Sequence, residues 1–98
     1  MRDEVIATPT LDDLTGFVHR ALCEPDALDP TQTPLVKSML TKTGRPCGFL
    51  FHVVGPRLLR TSAVWAADEH RILFYNSTGQ RVREVTLSEA PDVRKAKP

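Results

Sequence analysis

The second half of the chain leaves little conformational freedom. Gly48–Val54, Leu58–Ala67, His70–Asn76 and Gln80–Leu87 are runs rich in β-branched and aromatic residues, the composition of strands. Gly55-Pro56-Arg57, Ala67-Asp68-Glu69-His70 and Ser77-Thr78-Gly79 separate them and carry the residues that turns favour. Connections this short join only antiparallel neighbours, so the spacing predicts a four-stranded antiparallel meander.

The first half has helical periodicity instead. Leu11, Leu14, Val18, Ala21 and Leu22 recur at spacings of three and four within Thr10–Glu24, which gathers them on one side of a helix. Thr10 is placed to cap its first turn, Asp12 and Asp13 suit the positive end of its dipole, and Pro25 ends it. Pro25, Pro30 and Pro34 mark a stiff connector. A second helix is expected from Thr33, with Pro34 at its first position, Leu35, Val36, Met39 and Leu40 as its apolar stripe and Gly44 as its C-terminal cap. The expected class is therefore α+β: two N-terminal helices packed on one face of a four-stranded antiparallel β-meander. Residues 1–88 form the domain, and 89–98 read as a flexible basic tail.

Ninety-eight residues suffice for one domain. The balance of 41% hydrophobic and 26% charged residues is that of a folded chain, not a disordered one. The net charge of +1 selects neither an acidic nor a basic partner, although residues 1–34 sum to −5 and residues 35–98 to +6. No apolar run is long enough to span a bilayer. Met1-Arg2-Asp3-Glu4 places acids where an export signal needs a basic and then apolar stretch, so a cytoplasmic location and no membrane partner are expected.

Register follows from turn length. With two-residue turns at Pro56-Arg57 and Asp68-Glu69 and a three-residue loop at Ser77–Gly79, one face collects Leu50, Val54, Leu59, Ala63, Trp65, Ile72, Phe74 and Val82, with His52 and Thr61 at its margin. This is the expected seat of the helices, and Gly48 is expected opposite Trp65. The other face collects Phe49, Phe51, Val53, Val64, Leu73, Tyr75 and Val85 beside Arg60, Arg71, Arg81 and Arg83. A solvent-facing sheet surface is ordinarily polar, and a large apolar one marks an interface. Phe49, Phe51, Val53, Val64 and Leu73 are thus interface candidates. A homodimer, or a complex with another protein, is the expected assembly. The alternative cover for that face is the segment Val5-Ile6-Ala7.

Other chemistry has weaker support. Arginines alternating with an aromatic on a sheet can hold phosphates and stack a base, which makes Arg60, Arg71, Tyr75, Arg81 and Arg83 candidates for an anion or nucleic acid. His19 and Cys23 are four apart on the first helix, a spacing zinc can use, with Cys47 and His52 as conceivable completing ligands. Cys47 following Arg45, with His52 or His70 as base, is a nucleophile candidate, and no oxyanion hole is announced near it. The stretch from Ile72 to Val82 resembles one unit of a tyrosine–aspartate sheet repeat, which comes in arrays and here occurs once. No catalytic residue, cofactor or metal ligand is assigned. The expected function is a non-catalytic interaction or assembly module, with nucleic-acid binding second and a thiol or metal enzyme last.

Overall fold

A computed structural model describes residues 4–55 and 58–93. The chain runs β1 (Glu4–Ala7), α1 (Leu11–Cys23), β2 (Val36–Lys42), β3 (Arg45–Val54), β4 (Arg60–Ala66), β5 (Arg71–Tyr75) and β6 (Arg81–Glu89), with short 3-10 turns at Glu24–Asp26 and Ala67–Glu69. The six strands form one mixed sheet in the order β1-β6-β5-β4-β3-β2. Every pairing is antiparallel except that of β1 with β6. This corrects the expected architecture of two helices on a four-stranded meander. One α-helix covers a larger sheet, and the meander gains a strand at each edge.

α1 forms for the reasons its sequence gives. The Asp13 amide donates to Thr10 Oγ1 at 3.1 Å, which satisfies one of the free donors of the first turn. Leu14, Val18, Ala21 and Leu22 are buried, and the helix packs mainly on β3 and β4. The Thr61 hydroxyl ties its last turn to β4 by donating to the Leu22 carbonyl at 3.4 Å.

The expected second helix is β2. Its apolar residues fit a helical stripe, but Lys37 and Met39 instead alternate with Val36, Ser38 and Leu40 across a strand paired to β3. Thr43 (φ 50°) and Gly44 (φ 79°) both take left-handed conformations between Lys42 and its partner Arg45, the backbone of a two-residue type I′ hairpin. The glycine read as a helix cap is a turn glycine. The segment from Val5 to Ala7, a possible cover for the sheet, lies in edge strand β1 alongside β6.

Two one-residue offsets reorganise the faces. Val54 pairs with Arg60, and the Gly55 amide donates to the Leu59 carbonyl at 2.8 Å, so residues 55–59 connect the strands where a two-residue turn is expected. The odd difference puts Phe49, not Gly48, opposite Trp65 and reverses β3 as a whole. In β6, Tyr75 pairs with Arg81 as expected, but Phe74 pairs with Arg83. Val82 is the extra residue of a bulge, and every later position of β6 is reversed.

The helix-facing rows therefore read Lys37–Phe51–Ala63–Phe74–Arg83 and Met39–Phe49–Trp65–Ile72–Val85. Phe49, Phe51, Ala63, Trp65, Ile72 and Val85 are fully buried there. Phe49 stacks on Trp65 with ring planes 9° apart and centroids 6.0 Å apart. Phe49, Phe51 and Val53, expected on an exposed interface, lie in the core beneath α1. Of the expected tail, Glu89 ends β6, Ala90 and Val93 pack against the core, and residues 94–98 lie outside the described residues.

Candidate functional site

The opposite face of the sheet carries no helix among the described residues. Its rows are Val36–His52–Ser62–Tyr75–Arg81, Ser38–Leu50–Val64–Leu73–Glu84 and Leu40–Gly48–Ala66–Arg71–Thr86. Leu50, Val64 and Leu73 form a continuous apolar stripe across three central strands, each side chain partly open to solvent. Leu40 flanks it on one side, and Val36 (44% exposed) and Val54 (42% exposed) on the other. Polar side chains would be the ordinary choice for such a face.

The central charge on this face is compensated. Arg71 donates through Nη1 to Glu84 and through Nη2 to Glu69 at 2.6 Å. These bonds, that to Glu84 first, hold its guanidinium even more firmly protonated than usual. His52 is half-buried, and burial pushes its imidazole below the ordinary histidine range, with the positive Arg60 adding to the effect.

The expected interface set is thus divided. Val64 and Leu73 lie on the open face, whereas Phe49, Phe51 and Val53 lie on the covered one. Leu50 joins the open stripe because β3 is reversed, which a turn-length count does not reveal. The arginine set divides as well. Arg60, Arg71, Tyr75 and Arg81 share the open face, but Arg83 points under the helix. There Arg83 donates to both carboxylate oxygens of Glu4, at 2.6 and 3.0 Å, and lies over Phe17 and Phe74 at 5.6 and 5.4 Å. That bidentate pair fastens β1 to β6 and leaves Arg83 committed to the fold.

The thiol and metal candidates do not converge. Cys23, the last residue of α1, is buried, and its thiol is pushed up by desolvation and, secondarily, by Asp29. His19 Nε2 donates to the Thr33 carbonyl at 2.6 Å, which anchors the connector. His52 lies on the other side of the sheet. Cys47 opens onto a shallow groove lined by Lys42, Arg45, Asp68 and Val93, with neither His52 nor His70 in its lining. No group of three or more metal-binding side chains occurs among the described residues, and no helix there is long and apolar enough to cross a membrane. Comparison with protein-family models, curated proteins and solved structures gives no match.

Proposed function

We propose that this chain is a non-catalytic association module that pairs with a second copy of itself through the open sheet face. The observation that carries the reading is the Leu50–Val64–Leu73 stripe on a face no described helix covers. Five strands at a spacing of about 4.8 Å, with about seven residues each at 3.3 Å, give a face of roughly 550 Å² in projection. The apolar part of that face is the Leu50–Val64–Leu73 stripe with Val36, Leu40 and Val54 beside it, and a contiguous apolar patch rimmed by polar side chains is the pattern of an interaction site. Two such faces bury about 1,100 Å² at full overlap, the low end of specific interfaces, so the pairing is expected to be weak, micromolar at best.

A like surface is the best match for this one. Its middle row is apolar at Leu50, Val64 and Leu73, and its central arginine is neutralised by its own glutamates, so the stripe itself offers nothing to a strongly acidic or strongly basic partner. A two-fold pair lays the stripe of each copy on that of the other. The expected interface residues become Leu50, Val64 and Leu73, with Val36, Leu40 and Val54 around them. The nucleic-acid alternative keeps only Arg60, Tyr75 and Arg81 at one end of the face, a small footprint for a chain of pI 7.8.

Sedimentation equilibrium tests the reading. Wild-type protein is expected to dimerise with a micromolar dissociation constant, and Leu73→Glu, which adds a second carboxylate directly opposite Glu84, is expected to be monomeric with an unchanged circular-dichroism spectrum. A wild-type monomer at millimolar concentration overturns it.

A further inference from the structure

His52 is the one histidine among the rows of the open face, and its surroundings are unusual for a group that titrates near neutrality. From β2 only Val36 faces it, since the neighbouring Lys37 points to the helix side, where it lies over Phe49. From β4 it meets Ser62, with Arg60 two residues along on the same face. Beyond Ser62 in the same row stand the phenol of Tyr75 and then Arg81. Leu50 and Val54 flank it along its own strand. No carboxylate stands in this row. Of the acids of the face, Glu84 ends the stripe's own row on β6, three strands from His52, Glu69 lies beyond the stripe, and both are bonded to Arg71. A proton on His52 therefore has cations for charged neighbours and no anion to pair with.

We infer that His52 makes the self-association acid-labile: the paired state requires a neutral imidazole, and protonation separates the copies. The inference rests on the open face being the pairing surface. A second copy laid stripe on stripe over this face removes water from His52 and sets above its row either the Val36–Arg81 row or the Leu40–Thr86 row of the other copy, neither of which holds a carboxylate. It therefore strengthens the desolvation that already disfavours the charged form.

The sign of the linkage follows. A group whose pKa is lower in the associated state leaves association at full strength above its pKa in the free subunit, which for His52 already lies below the ordinary histidine value of about 6.5. Association then weakens as the pH falls below that free-subunit pKa, by up to about tenfold per pH unit for each histidine until the lower pKa of the paired state is reached. A symmetric pair contains two copies of His52. The dissociation constant is thus expected to rise about 10- to 100-fold between pH 7.5 and pH 5.0.

The experiment is sedimentation equilibrium of wild type, His52→Gln and His52→Leu at both pH values, with circular dichroism recorded on the same samples. Wild type is expected to weaken at least tenfold, while the variants keep one dissociation constant at both pH values. The leucine variant retains an apolar surface and carries the comparison where glutamine alone lowers affinity. Wild-type association that is equally strong at both pH values, or variants that weaken as wild type does, overturn the role of His52 while leaving the pairing surface standing. Protein that is monomeric at every pH overturns the pairing surface itself, and this inference with it.

Discussion

Replacing Gly48 by alanine is a severe test of the β3–β4 register. Gly48 pairs with Ala66, and a side-chain carbon built on it would stand 1.8 Å from the Trp65 carbonyl oxygen and 3.0 Å from its carbonyl carbon. Both atoms are backbone, so no rotamer change relieves the clash. Reaching the 3.4 Å of ordinary contact requires the strands to part by about 1.6 Å. A separation of that size breaks the flanking ladder hydrogen bonds, each worth about 1 kcal/mol net. It also disturbs the Phe49–Trp65 stack one residue away, and the left-handed backbone at φ 157° adds further strain. The expected loss is about 3–4 kcal/mol, or a fall in melting temperature of roughly 15–30 °C for a domain of this size. Gly44→Ala is the control. Its φ of 79° is also left-handed, but nothing lies within 4 Å of the added carbon, so conformational strain alone should cost about 1–2 kcal/mol. Urea denaturation of the two variants separates the effects. A Gly48→Ala protein within about 1 kcal/mol of wild type, or no worse than Gly44→Ala, refutes the register.

Two further outcomes follow from the charged and thiol groups. Glu4 is held below the ordinary carboxylate range chiefly by its hydrogen bonds from Arg83, so its contribution is present above the unfolded pKa and is lost as the pH falls through the folded value. The pair is about one-third exposed, which limits that contribution to about 0.5–1 kcal/mol after solvent screening. Glu4→Gln should therefore lower stability at pH 7 by that amount and match wild type near pH 2, and a gap that persists at pH 2 contradicts the linkage. In native protein a disulfide-exchange reagent should modify the partly exposed Cys47 and spare the buried Cys23 until denaturant is added; rapid reaction of both thiols contradicts the packing of α1 on the sheet.

How much of this was legible in the chain depends on where each conformation gets its signal. α1 is local in origin: its cap, its acidic first turn and its stripe all lie within residues 10–23, and all agree. β2 is not. Leu35, Val36, Met39 and Leu40 satisfy a helical spacing, and Gly44 at positive φ serves a helix end and a hairpin equally well. Pairing with β3 decides between them, and that partner is not encoded in the segment itself. β1 is too short to announce a strand, and its place beside β6 is fixed by a residue 79 positions away, Arg83.

The faces of the sheet fail and survive for a related reason. Leu58 takes a left-handed φ of 58° and is 85% exposed, and Val82 occupies a bulge. Neither residue type favours such a conformation, so composition offers no hint that a connection is longer than its turn residues or that a strand holds one extra. The extra length after Val54 reverses all of β3, and the extra residue at Val82 reverses β6 from Arg83 onward. The Asp68-Glu69 connection carries no such surprise, and β4 and β5 keep the pairing its length predicts, Trp65 with Ile72. Ala63, Trp65, Ile72 and Phe74 thus face the helix under either count, and Val64, Leu73 and Tyr75 face away under either count. The open surface is anchored on strands whose register does not depend on the two irregularities, whereas Leu50 and His52 reach it only through the five-residue connection after Val54. Gly48→Ala probes that same β3–β4 register, so its outcome bears directly on whether His52 occupies the face on which its proton matters.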